Sequence, residues 1–271
     1  MKSAGIIAAG WGERLGQKIP KALTQVNGKA LIDYTLDGFE TAGIQRVTCI
    51  VNETAKAVPE HVANSGRKLE IDWIIRTTPS SMHSFLIVLE RLNSFASPPS
   101  PLPKGEGRTS RGEAEFPHFL ITTVDSICPP DAYAEFVRSC DLFPAADVCL
   151  GLTSFVDDEK PLRVAMRGEE GTGIIPARVK DNPDAFEIMA MTTSGFSSEY
   201  VTAGFYRASS KILNEKEKVL AGKFTALRQY LAYLLKYGYR FFGVPLPAVI
   251  DVDRPQDIQT AEQLLGKAGV I

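Results

Sequence analysis

Apolar and polar positions alternate along the first half of the chain with two distinct periods. Short apolar runs at Ile6–Ala9, Arg46–Asn52, Leu69–Arg76 and Phe119–Val124 read as buried strands. Helical spacing between them predicts helices over Ala30–Ala42, stopped by Gly43, over Lys56–Asn64, over Met82–Phe95, and from about Asp131 after Pro129 and Pro130. Strands alternating with helices imply βαβ units and a parallel sheet, whose ligands gather at the carboxyl ends of the strands.

From Asp147 the pattern changes. Strands are expected at Val148–Thr153, Leu162–Arg167, Gly173–Val179 and Tyr200–Tyr206, with few helices between them, which describes a mixed sheet. Thr225–Tyr237 sets Leu227, Tyr230, Leu231, Leu234 and Leu235 on one helical face, assigned to core packing. A strand at Ala248–Val252 meets Asp253, and Pro255 opens the last helix where its missing N–H costs nothing. Ser97–Gly112 interrupts all this with Pro98, Pro99, Pro101 and Pro103 and almost no apolar residue, so a disordered insertion is expected there.

Candidate chemistry begins where the first strand ends. Gly10-Trp11-Gly12-Glu13-Arg14-Leu15-Gly16 follows it, and then Pro20-Lys21. Glycine lets a turn take positive φ and lets backbone amides approach phosphate oxygens, while Arg14 and Lys21 add fixed positive charge. The bland alternative is a turn after a strand; the added Arg and Pro-Lys favour phosphate binding. The loop is not a P-loop, which needs Gly-Lys-Ser/Thr, and its Gly-x-Gly-x-x-x-Gly spacing is not the dinucleotide fingerprint. Asp125 follows one buried strand, and Asp251 and Asp253 bracket the end of another. Carboxylates so placed suit Mg²⁺, although by spacing alone each is more often a turn or cap residue.

Composition narrows the partners. The chain has 271 residues, 44% hydrophobic and 23% charged, with a net charge of −2, which gives no footprint for a nucleic-acid polymer. Cys49, Cys128, Cys140 and Cys149 lack zinc-site spacing and read as reduced and packed. The N-terminal apolar run is too short for a signal peptide, and no stretch reaches the ~18 apolar residues of a membrane span. A soluble cytoplasmic protein is expected.

Ala8, Ala9, Gly10, Gly12, Arg14, Pro20 and Lys21 match the Ala-Ala-Gly-x-Gly-x-Arg…Pro-Lys signature of the nucleotidyltransferases that make NDP-sugars, which the chain resembles. Molybdenum cofactor guanylyltransferases are similar. The resemblance implies a three-layer α/β/α fold with a mostly parallel, Rossmann-like central sheet and a mixed-sheet substrate lobe. It implies one domain over 1–271, with a nucleotide-binding half to about 145, a substrate lobe to about 245 and a metal-ligand strand and helix after it. It also implies Mg²⁺ held by Asp125 and Asp253, with Asp251 as the reserve and Asp257 in the first turn of the last helix.

The reaction implied is transfer of a nucleoside monophosphate from an NTP to a small phosphorylated substrate, a sugar 1-phosphate first, with loss of pyrophosphate. A cytidylyl- or guanylyltransferase of a non-sugar phosphate, molybdopterin included, and a non-catalytic nucleotide binder are the alternatives. Ala8, Ala9, Gly10, Gly12, Arg14 and Lys21 would hold the nucleotide, with Arg14, Lys21 and Asp125 catalytic. Ser80 and Ser81 replace the base-reading motif of uridylyl and thymidylyl enzymes and either touch the base or cap the following helix. Thr202 and Gly204 stand near the Asn-Thr-Gly of sugar-nucleotide enzymes, and Lys180 where relatives contact the acceptor; a strand threonine and a turn lysine are the alternatives.

Overall fold

A computed structural model describes residues 1–96, 116–154, 161–167, 186–193, 198–222, 224–247 and 249–267. The insertion expected over 97–112, the strand over 173–179 and Lys180 lie outside them. In chain order the strands are β1 (Ser3–Ala8), β2 (Gln25–Val26), β3 (Lys29–Ala30), β4 (Arg46–Val51), β5 (Glu70–Ile75), β6 (His118–Thr123), β7 (Ser126–Ile127) and β8 (Val148–Thr153). Then follow β9 (Arg163–Met166), β10 (Ile188–Thr192), β11 (Val201–Ser209), β12 (Phe241–Pro245) and β13 (Ile250–Asp251). The helices are α1 (Leu31–Thr41), α2 (Ala57–Ala63), α3 (Ser81–Phe95), α4 (Asp131–Cys140), α5 (Lys216–Ala221), α6 (Leu227–Lys236) and α7 (Pro255–Lys267).

The main sheet begins as the apolar runs require. β5, β4, β1 and β6 lie side by side and parallel, with Ile6 opposite both Cys49 and Thr122. β11 then joins β6 antiparallel, β8 pairs antiparallel with β11, and β12 closes on β8 in parallel. β9 and β10 extend from the start of β11, so this half is a mixed sheet, as expected.

The layers follow from two adjacent residues on β11. Successive strand residues point to opposite faces of a sheet. Phe205 meets Tyr133 and Phe136 of α4, at ring separations of 4.7 and 5.8 Å, whereas Tyr206 meets Phe85 of α3 at 5.7 Å. Helices therefore cover both faces, with α1 against α4 on one and α3 across β1, β4 and β6 on the other. All four cysteines are buried within this packing.

Two short ladders shape one end of the sheet. The strand expected at Ala248–Val252 shortens to the two residues of β13, which pair Ile250 with Ile127 and Asp251 with Ser126 of β7. The Val252 amide then donates to the Asp125 carbonyl at 3.0 Å, and the Val124 amide to the Ile7 carbonyl at 3.1 Å. The ends of β1, β6 and β13 are thus tied together by backbone, and α7 leaves this junction to pack on β2.

Candidate active site at the sheet's carboxyl ends

The glycine loop takes its shape from two left-handed glycines. Gly12 (φ 67°) and Gly16 (φ 65°) frame a single 3-10 turn, Glu13–Leu15, which carries Arg14. A Cβ on Gly12 would stand 2.9 Å from the Cβ of Lys21, so glycine also lets this turn lie against the lysine stem. Gly10 has neither a positive φ nor a close neighbour, and the expected conformational reason for a glycine there is not met. Ala8 is buried and Ala9 half-buried at the end of β1.

Lys21 sits in the next 3-10 turn, Lys21–Leu23, where the Leu23 amide bonds the Pro20 carbonyl at 2.9 Å. Its side chain is only 6% exposed, and its ammonium bonds the carboxylates of both Asp125 and Asp253. Arg14, mostly exposed, reaches Asp253 Oδ2 at 3.3 Å. Burial pulls the Lys21 ammonium down, but Asp125, Asp251 and Asp253 outweigh it and hold the group above its ordinary value. Burial raises the Asp125 carboxyl, and Lys21, with a hydrogen bond from Thr123, turns the net direction downward.

The second carboxylate is positioned from behind. Asp257, 3% exposed in the first turn of α7, accepts the amides of Asp253 at 2.8 Å and Arg254 at 2.6 Å through Oδ2. Asp257 thus lies in the first turn, as expected, and these bonds also hold the loop that presents Asp253. Asp251 acts on the ammonium through its charge, its Oδ1 accepts the Ser126 hydroxyl at 3.4 Å, and Ser126 and Thr123 share a hydrogen bond of 2.7 Å. Gly204 (φ 72°) sits in an irregular stretch of β11, and a Cβ there would meet Ser126 Oγ at 2.1 Å and Thr123 Oγ1 at 2.5 Å.

A cleft of about 250 Å³ opens beside these groups. Asp125, Asp251, Asp253 and Arg14 line it together with Thr202, Gly204 and Tyr206 of β11, Leu162, Ser81 and the start of α6 at Leu227 and Arg228. Of the two serines at the start of α3, Ser81 belongs to this cleft, where its hydroxyl accepts the Leu227 amide at 3.2 Å. Ser80 bonds His83 Nδ1 at 2.9 Å and does not line the cleft. Neither hydroxyl caps the helix as anticipated. Burial, then Asp251 and Asp125, push the Tyr206 phenol up, so it stays protonated.

A divalent ion fits the donor set. Mg²⁺ takes one or two carboxylates and completes its shell with substrate phosphates and water. One cation, the Lys21 ammonium, already reaches Asp125 and Asp253 together. No group of three or more His, Cys, Asp or Glu able to hold an ion occurs among the described residues. Among the same residues no helix is long and apolar enough to cross a membrane.

Thr123, Ser126, Asp257 and Arg228 join the candidate site without being expected there. Ser126 directly follows Asp125, which is a usable signal; nothing in the sequence ties Asp257 to the placing of Asp253; Arg228 carries no local signature.

Known proteins resemble this chain at several levels. Over 84 residues it is 31% identical to the CMP-5'-(3-aminopropyl)phosphonate synthase of Streptomyces rubellomurinus, covering 30% of this chain and 13% of that one. Over 64 residues it is 41% identical to the 2-C-methyl-D-erythritol 4-phosphate cytidylyltransferase of Lachnospira eligens, covering 24% and 27%. The chain thus spans under a third of the length of these curated relatives. The inositol-1-phosphate CTP transferase of T. maritima has the same fold, with a TM-score of 0.69 at 20% identity over 98% of this chain and 96% of that one. The MobA-like NTP transferase domain matches residues 4–154, which run from β1 through the glycine loop and Asp125 to the end of β8, and the chain belongs to that family.

Proposed function

We propose that the protein transfers a nucleoside monophosphate from an NTP to a phosphate monoester, in a Mg²⁺-dependent reaction that releases pyrophosphate. The observation that carries this reading is the sharing of one buried ammonium, that of Lys21, by Asp125 and Asp253, which both line the cleft. Two carboxylates from distant parts of the chain converge on a single cation beside a glycine loop and an arginine. A purely structural ion pair has no need of the second carboxylate or of the cleft.

The reaction brings two anions together, so the site must offset charge and align the attack. An oxygen of the acceptor phosphate attacks the α-phosphorus, the bond to the β-bridging oxygen breaks, and pyrophosphate leaves with that electron pair. The acceptor dianion is already a nucleophile, so no group has to remove a proton. Arg14 and Lys21 engage the triphosphate, and the turn between Gly12 and Gly16 lets its backbone come close to the phosphates. Asp125 and Asp253 would hold Mg²⁺, whose chemistry there would be charge neutralisation. Thr202 and Gly204 face the acceptor in the cleft, which Ser81 also lines.

A sugar 1-phosphate is the first acceptor class to test. Cytidine is the first base to test, because two of the curated relatives above are named for a CMP product or for cytidylyl transfer. The test is pyrophosphate release from CTP and the other NTPs with Mg²⁺ and a panel of sugar, polyol and alkyl phosphate monoesters. Acceptor-dependent pyrophosphate with one nucleotide is the expected result; none with any pairing would overturn the reading.

A further inference from the structure

Lys21 is more than a contact waiting for phosphate. In this structure its ammonium lies where the two candidate metal-binding carboxylates converge, and its side chain is 6% exposed. The stem is packed against Gly12, whose missing Cβ leaves room for it. Such a lysine is stable only while paired, because an ammonium left buried without a partner is strongly unfavourable. The carboxylates need it equally, since like charges brought together disfavour joint ionisation.

Asp125 and Asp253 are both bonded to Lys21, Asp253 is also paired with Arg14 at 3.3 Å, and Asp251 adds its charge to the field on Lys21. A bare divalent ion entering this arrangement would set its charge beside Lys21 and Arg14 and take from Lys21 the two carboxylates it bonds. A divalent ion carried on a triphosphate enters as a net anion, and its phosphate oxygens offer Lys21 new partners as the carboxylates turn to the metal.

We infer that Lys21 is the resident counter-cation of the Asp125–Asp253 pair, which excludes free divalent metal and admits it only with a nucleoside triphosphate. The inference rests on the function proposed above. It makes Lys21 a selector for the metal–nucleotide complex in addition to its contact with phosphate.

The experiment is direct binding of Mn²⁺, followed by electron paramagnetic resonance, to the full chain without nucleotide. Wild type, Lys21→Met, Lys21→Arg, Asp125→Asn and the double variant Lys21→Met with Asp125→Asn are compared. Lys21→Met is expected to bind Mn²⁺ at least tenfold more tightly than wild type, with Lys21→Arg close to wild type and the double variant losing the gain. Wild type should itself tighten on Mn²⁺ when a non-hydrolysable triphosphate is added. If Lys21→Met binds no more tightly than wild type, while Asp125→Asn still weakens binding, the counter-cation inference falls and the metal site stands. If Asp125→Asn changes nothing in either background, the metal site falls and takes the inference with it. Should Lys21→Met not fold, wild type that binds free Mn²⁺ as tightly without nucleotide as with it overturns the inference alone.

Discussion

The carbonyl oxygen of Asp125 accepts the amide of Val252 at 3.0 Å, a single backbone bond that joins the end of β6 to a strand near the far end of the chain. It continues the ladder of β7 and β13 and puts Asp253 one residue beyond the bond, where it meets Asp125 at Lys21. The proposed chemistry depends on this junction, and its parts can be tested one at a time.

Asp125→Ala should cut pyrophosphate formation at least a hundredfold, or about 3 kcal/mol of barrier. The strand that carries it is fixed by β1 and β11 on either side, so circular dichroism should be unchanged. Turnover near wild type would remove Asp125 from the mechanism.

Asp257→Ala removes the acceptor of the Asp253 and Arg254 amides and frees the loop that presents Asp253. Loss of such an outer support typically costs 10–100-fold. The fall should appear in kcat and in the metal concentration needed for half-maximal rate, with Asp257→Asn, which keeps one acceptor oxygen, closer to wild type. Equal effects of Ala and Asn would show that the charge, and not the acceptor, matters.

Gly204→Ala must adopt φ 72° and place a Cβ against Ser126 and Thr123. Strain of this kind costs roughly 1–3 kcal/mol. Thermal denaturation should show a midpoint lowered by several degrees, since about 2–4 °C follows each kcal/mol in a chain approaching this size. An unchanged midpoint would mean that β11 relaxes here.

His118 gives the fold a pH dependence away from the site. Its Nε2–H donates to the Ala146 carbonyl at 3.0 Å. Burial chiefly, aided by the Arg207 charge, holds it below the ordinary value of 6.5 despite that bond. Between the two values the unfolded chain takes up a proton that the fold refuses, so stability falls as pH drops through 6.5 and levels off below the folded value. Denaturant midpoints at pH 7.5 and 5.5 should therefore fall further in wild type than in His118→Gln; parallel falls would contradict the assignment.

Elements that bury one continuous apolar run were legible. Val148–Thr153 was expected and found with the same bounds, and the helix expected over Met82–Phe95 begins one residue earlier at Ser81. Phe241–Pro245 was overlooked because a short buried run holding a glycine and ending in proline shows neither period clearly. The β2–β3 hairpin was legible and missed: its turn is Asn27-Gly28, both at positive φ, a strong hairpin signal. For the site, Arg14, Lys21, Asp125 and Asp253 were readable from their local motifs. Their meeting was not, because the two-residue ladder that joins them has no sequence signature, and neither does the bonding of Ser81 to the start of α6.

The central claim is that the glycine loop and the Asp125–Asp253 pair together engage a metal–nucleotide complex. Its most direct test is the melting temperature of wild type, Asp125→Asn and Asp253→Asn with each of the five NTPs, with and without Mg²⁺. A ligand at 100 times its dissociation constant stabilises by about 2.7 kcal/mol, a shift of several degrees. The account predicts that shift in wild type with one nucleotide, only when Mg²⁺ is present, and a markedly smaller one in both variants. No shift with any nucleotide, or an equal shift without Mg²⁺ and in both variants, would contradict it.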